Sequence, residues 1–169
     1  MKKIVLIGSG GSGKSTLARQ LSEKLNINVY HLDSLLWRSN WESVSKKEQR
    51  EIQHELIQKE EWIIDGNYSG TMDLRLQACD TIIFLDIKRT ICIYRALKRI
   101  WQYRNKTRPD RAEGCQERFE LDFLKWIWNY PTMNKPEIEK RLKQLSKEKQ
   151  VIILKKPKEV QRLLDRKDF

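Results

Sequence analysis

No apolar run in this 169-residue chain approaches the roughly 20 residues that a helix needs to cross a bilayer, which excludes a helical membrane-spanning protein. Cysteine is scarce: Cys79, Cys92 and Cys115 are far apart and odd in number. They match no metal-ligand spacing, and reduced thiols are their expected state. Internal repeats and low-complexity tracts are missing, which excludes a solenoid or a chain disordered by composition. A leader is not legible either. "MKKIVLIGSG" starts basic and turns apolar, but the apolar run is four residues long and no small-residue cleavage site follows. It reads as a first strand, and a cytoplasmic location without membrane contact is the expectation.

What is present suits a soluble globular protein: 39% of residues are apolar and 34% are charged. The length suits one domain with a full core, spanning residues 1–169. The net charge of +11 is unevenly placed. Residues 1–87 hold 11 Lys and Arg against 12 Asp and Glu, whereas residues 88–118 hold 10 against 3. The excess therefore lies entirely after residue 87, and two readings stay open for it: a polyanionic partner, nucleic acid or phosphates, or a solvated basic surface.

"KIVLIG" is a continuous apolar run ending in glycine, the pattern of a strand buried on both faces. A glycine-rich turn and a helix over about 14–25 follow. "NINVYHL", "WIIDG", "DTIIFLDI" and "QVIILK" read as four further strands. Helices are expected over "SKKEQREIQHELIQKE", over "TMDLRLQAC" with Thr71 as its cap, and over "RTICIYRALKRIWQYR" with Ile93, Leu97 and Ile100 on one face. "ERFELDFLKWIWNY", "PEIEKRLKQLSKE" and "PKEVQRLLDRK" complete the set. Strands alternating with helices predict an α/β fold with a five-stranded parallel sheet covered on both faces. Ligands of such sheets bind at the carboxyl ends of the strands, which places the glycine turn, Asp33, Asp65 and Asp86 along one rim.

"GSGGSGKS", Gly8 to Ser15, fits G-x-x-x-x-G-K-[ST] at every fixed position, between a buried strand and a helix. This is a P-loop. Glycines let backbone N–H groups converge on phosphate oxygens, and the helix start adds its dipole. Gly8, Ser9, Gly10, Gly11, Ser12, Gly13, Lys14, Ser15 and Thr16 are therefore candidate ATP-binding residues. Lys14 would reach the outer phosphates, and Ser15 would hold Mg²⁺. "IIDG" and "IFLD" each end a strand in aspartate, so Asp65 or Asp86 could serve the same Mg²⁺.

With its P-loop at the N-terminus, "IIDG" in mid-chain and "DTIIFLDIKRTICIYRALKR" after it, the chain resembles the adenylate kinase-like group of P-loop kinases. "HLDSLLW", "WIIDGNY", Arg95 and Arg99 in R-x-x-x-R, and "FLKWIW" resemble more closely the DNA topology modulation proteins within that group. The resemblance covers nearly the whole chain. It implies a P-loop NTPase fold, adenylate kinase-like with a short lid over about 105–117. It favours Asp65 over Asp86 for Mg²⁺. It also implies that Arg95 and Arg99, one helical turn apart, flank the nucleotide phosphates as catalytic residues, where the planar guanidinium fork holds two oxygens at once. Surface ion pairs are the other reading of that pair. Arg108 and Arg111 are the lid arginines expected to close over the phosphates, and a disordered basic loop is the other reading of that segment.

One departure bears on the acceptor. Nucleoside monophosphate kinases follow Asp-Gly with a Phe-Pro-Arg block that grips the acceptor phosphate, whereas "DGNYSG" is followed by no arginine until Arg75. This weighs against a mononucleotide. In related small-molecule kinases an aspartate at the place of Asp33 holds the acceptor hydroxyl and accepts its proton. Trp37 and Trp41 are then candidates for an apolar wall, and capping of a helix at Ser34 is the other reading of Asp33. His31 reads as structural. Phe119, Phe123, Trp126 and Tyr130 follow helical spacing and read either as core and homodimer contacts or as a base-stacking platform. The function expected is an ATP- and Mg²⁺-dependent phosphotransferase with catalytic Lys14, Asp33, Arg95 and Arg99 and a small acceptor. The alternative is a nucleotide-dependent protein acting on nucleic acid, through DNA topology or polynucleotide ends.

Overall fold

The computed structural model describes residues 1–104, 110, 112–115 and 119–166. Most of the lid segment, including Arg108 and Arg111, lies outside the described residues. Five strands form one parallel sheet: β1 (Lys3–Gly8), β2 (Val29–His31), β5 (Trp62–Asp65), β6 (Thr81–Leu85) and β7 (Gln150–Leu154), in the order β2-β5-β1-β6-β7. β1 is central. Leu6 sits beside Asp65 on one side and Ile83 on the other. The continuous apolar runs follow from this position, because alternate residues enter different cores. Val5, Ile7, Trp62, Ile64, Ile82 and Phe84 face one layer, with Leu56, Met72, Tyr130, Ile138 and Leu142. Ile4, Leu6, Ile63, Ile83 and Leu85 face the other, with Leu17, Leu21, Cys92, Ala96, Ile127 and Leu163.

The helices covering these faces are α1 (Lys14–Leu25), α2 (Leu32–Leu35), α3 (Lys46–Ile57), α4 (Met72–Ala78), α5 (Arg89–Gln102), α6 (Leu121–Met133), α7 (Lys135–Leu145) and α8 (Pro157–Leu164). Among the described residues none is long and apolar enough to cross a membrane. α3 starts as its sequence dictates, with Ser45 accepting the Glu48 N–H.

Four local expectations are corrected. Thr71 sits at the start of α4 without capping it. Its hydroxyl donates to the Tyr68 carbonyl at 3.3 Å and accepts from Gln53 Nε2 at 2.8 Å. Asp33 does not cap a helix at Ser34, because α2 starts two residues earlier, at Leu32, and Asp33 lies in its first turn, with His31 at the cap position. α5 does not bury Ile93, Leu97 and Ile100 as a stripe. Its buried residues are Cys92 and Ala96, and Leu97 is 42% exposed. Small residues face inward there because the P-loop comes so close: a Cβ on Gly11 would lie 2.2 Å from the Cys92 carbonyl oxygen. Finally, β3 (Trp37–Arg38) and β4 (Glu42–Ser43) form an antiparallel pair that "HLDSLLWRSNWES" did not announce, since two-residue strands carry no period-2 pattern.

Candidate functional site

β1 ends at Gly8, and the chain wraps through Ser9–Gly13 into α1. Gly11 (φ 72°) and Gly13 (φ 100°) take left-handed conformations that other residues adopt only with strain. Gly10 to Thr16 line a cavity of about 510 Å³ at the carboxyl ends of the strands. Asp33, Asp65, Asn67, Arg95, Arg99 and Phe123 also line it. Gly8 and Ser9 lie behind, and their carbonyl oxygens each accept from Lys14 Nζ at 2.9 Å. Burial holds the Lys14 ammonium below its ordinary pKa, opposed by the nearby carboxylates of Asp65 and Asp33. The loop, its lysine and both aspartates thus share one electrostatic environment.

Asp65 closes β5 and is 5% exposed. His31 Nδ1 lies 2.9 Å from its Oδ2, so His31, read as structural, orients a site carboxylate. The Oδ1 atom is buried with no hydrogen-bond partner among the described residues. A buried carboxylate oxygen left bare is costly, and a cation beside it removes that cost. The residues present therefore fit a Mg²⁺ ion held by Asp65 and Ser15. No group of three or more metal-ligating His, Cys, Asp or Glu residues occurs among the described residues. Asp86, the other strand-end aspartate, is engaged elsewhere: Lys135 Nζ lies 2.7 Å from its Oδ2.

Asp33 also lines the cavity. Its Oδ1 accepts from the Tyr68 hydroxyl at 2.8 Å, and that hydroxyl accepts from Trp37 Nε1 at 2.7 Å. Trp37 and Trp41 pack edge to face, with centroids 5.7 Å apart, and neither lines the cavity. The expected tryptophan wall is therefore corrected: Trp37 donates to Tyr68, and the aromatic lining comes from Tyr103, Phe123 and Trp126, the last two stacked with centroids 6.0 Å apart. The other aromatics of the stripe part company, with Tyr130 buried in the core and Phe119 exposed ahead of α6. Arg95 and Arg99 both reach the cavity from α5. Arg95 Nη1 donates to the Ser12 carbonyl at 3.2 Å, and the Arg99 guanidinium lies 5.7 Å from the centre of the Phe123 ring. Arg95 is thus tied directly to the P-loop, and both arginines line the cavity.

Asn67 went unnoticed in the sequence, although it stands two residues after the aspartate of "DGNYSG". Its Oδ1 accepts the Gly8 N–H at 3.1 Å, and its Nδ2 donates to the Gly8 carbonyl at 2.7 Å. A side-chain amide thus satisfies both backbone groups of the first P-loop residue.

The comparisons with known proteins bear on the fold. A family model described as an AAA domain matches residues 4–116. No curated protein matches the chain. Among solved structures, the shikimate kinase from Acinetobacter baumannii in complex with shikimate is 16% identical, with a TM-score of 0.59 over 97% of this chain and 89% of that one. The shikimate kinase from Bacteroides thetaiotaomicron is 19% identical, with a TM-score of 0.51 over 96% of this chain and 94% of that one. The shared feature is the fold: a five-stranded parallel sheet between helical layers, as in P-loop kinases.

Proposed function

The chain belongs to the AAA domain family, and from that premise we propose that it is an ATP- and Mg²⁺-dependent phosphotransferase with a small hydroxyl-bearing acceptor. One observation carries this reading: Lys14, Ser15, Asp65, Arg95, Arg99 and Asp33 all line the same cavity. The P-loop amides and Lys14 hold the outer phosphates of ATP. Ser15 and Asp65 would hold Mg²⁺, which would supply neutralising charge at those phosphates. Arg95 and Arg99 stabilise the charge on the transferred group, and Asp33 orients the acceptor hydroxyl and takes its proton. The hydroxyl oxygen forms a bond to the γ-phosphorus, the bond from that phosphorus to the β–γ bridging oxygen breaks, and ADP leaves. Arg108 and Arg111 are assigned to the phosphates from their place in the sequence. Location in the cytoplasm accords with the use of ATP.

The test is a transfer screen with γ-labelled ATP over nucleosides, mononucleotides, small alcohols and DNA ends. Label is expected on a small alcohol or nucleoside. A protein that binds Mg·ATP and labels none of these is a nucleotide-dependent regulator instead. The narrower resemblance to DNA topology modulation proteins supports a second reading, action on nucleic acid, and the basic excess in residues 88–118 favours it. Duplex DNA binding measured across a salt series decides this point, since real phosphate contacts give a steep negative slope.

Arg95→Ala should lower turnover about 10–100-fold, from the loss of a hydrogen bond to a charged group worth about 1.5–3 kcal/mol. The Ser12 contact is one neutral-acceptor bond, so the melting temperature without ligand should fall only slightly. A large fall in melting temperature with normal turnover would mean that Arg95 merely braces the loop.

A further inference from the structure

The segment Gly66–Tyr68 is bonded both to the P-loop and to Asp33. Asn67 binds both backbone groups of Gly8 at the root of the P-loop, and the Tyr68 hydroxyl binds Asp33. Its backbone is unusual, since Tyr68 holds φ at 30° in the left-handed region, where a side chain is strained. Such a conformation persists only where the surroundings over-determine it.

Arg75 supplies that constraint. This arginine of α4 is wholly buried, and its hydrogen bonds among the described residues all go to neutral oxygens. Nη2 donates to the carbonyls of Gly66 at 3.2 Å and Asn67 at 2.7 Å. Nη1 donates to Gln53 Oε1 and, at 3.4 Å, to Thr71 Oγ1. Thr71 Oγ1 in turn donates to the Tyr68 carbonyl. Every carbonyl of the three residues is therefore held from the same side. Burial pulls the guanidinium down to about 10, so it remains a cation at neutral pH. Burying a charge with no ionic partner is costly, and stability alone would favour an apolar side chain of the same size. The planar fork does what an apolar side chain cannot, because it fixes two adjacent carbonyls and a glutamine oxygen at set angles.

We propose that Arg75 is a positioning residue which, by locking the Gly66 and Asn67 carbonyls, sets the spacing between the nucleotide loop and the Asp33 carboxylate. The inference rests on the reading of Asp33 as the group that holds the acceptor. Neither Gly8 nor Trp37 is hydrogen-bonded to Arg75, yet both report on the segment: the Gly8 N–H through Asn67, and the Trp37 indole N–H through Tyr68.

Hydrogen exchange followed by NMR tests this. In Arg75→Met the Gly8 amide and the Trp37 indole proton should both exchange at least about tenfold faster than in the wild type, while the Val5 and Leu6 amides of β1 keep their rates. Arg75→Lys, which retains donors without the fork, should fall between. Unchanged exchange at Gly8 and Trp37, or acceleration only in step with Val5 and Leu6, overturns the proposal. If Arg75→Met does not fold, Arg75→Lys carries the test: the Gly8 amide and the Trp37 indole proton should exchange faster relative to Val5 and Leu6 than in the wild type, and unchanged relative rates overturn the proposal equally. With the acceptor in hand, Arg75→Lys should lower kcat more than it raises KM for ATP. Normal transfer by Asp33→Asn would remove the acceptor reading, whereas the exchange rates report on the brace by themselves.

Discussion

Alanine at position 14 is expected to abolish stabilisation by Mg·ATP and to cut turnover by about 10³-fold, about 4 kcal/mol of transition-state stabilisation, while the fold stands. Lys14 Nζ donates to the Gly8 and Ser9 carbonyls, so its removal does cost something. The cost is small because the Gly8 carbonyl keeps its second donor, Asn67 Nδ2. One lost hydrogen bond is worth about 1 kcal/mol. The burial that depresses the ammonium's pKa also means that removing it relieves a desolvation penalty. Thermal melts with and without Mg·ATP separate the two effects. At a ligand concentration of about 100 times Kd, binding stabilises the wild type by about 2.7 kcal/mol, and Lys14→Ala should show no shift. A wild type that does not respond to saturating Mg·ATP would remove the nucleotide reading itself.

The parts of this protein that were legible in the sequence are those where a single local demand dictates composition. A strand buried on both faces must be apolar throughout, so "KIVLIG" and "DTIIFLDI" declare β1 and β6 without help from the rest of the chain. A loop that wraps phosphate must be glycine-rich and must open a helix, so the P-loop is readable as a string. What stayed hidden depends on sheet order. Asn67 meets Gly8 and Tyr68 meets Asp33 only because β5 inserts between β2 and β1. These pairs are 59 and 35 residues apart, and nothing local in "GNYSG" marks them. His31 is a similar case: it reaches Asp65 because β2 and β5 pair in register at those two residues.

α5 misled for a different reason. Periodicity weights large apolar residues, and Ile93, Leu97 and Ile100 drew the eye. The closest packing against the P-loop needs small ones, and Cys92 and Ala96 read as neutral in such a pattern. The tryptophans erred in the same direction. Trp37 looked like a surface for substrate, but its indole N–H needs an acceptor, and finding one in the Tyr68 hydroxyl turns the ring away from the cavity. Close backbone approach and polar satisfaction are tertiary facts, and both lie beyond a count of apolar positions.

Asp33→Asn is expected to leave stability and ATP binding near normal and to reduce phosphoryl transfer by roughly 10²-fold or more, as for loss of a general base. The structure sharpens this expectation. Asp33 is not a helix cap, since His31 occupies that position of α2, so no capping bond is lost. An asparagine oxygen can still accept the Tyr68 hydroxyl at the place of Oδ1, so the bond that orients the side chain survives. What disappears is the negative charge and the second carboxylate oxygen, the one available to an acceptor hydroxyl and its proton. The charge contributes to the field at Lys14, but Asp65 contributes more, so ATP affinity should move little. Tyr68→Phe is the companion variant: it keeps the charge and removes the orienting bond, and its loss of transfer should be smaller than that of Asp33→Asn. Both quantities are read on the same variant, with transfer to the acceptor found in the screen and a melt with Mg·ATP as the binding control. Transfer by Asp33→Asn at the wild-type rate would take the carboxylate out of the reaction and leave it as a partner of Tyr68 alone.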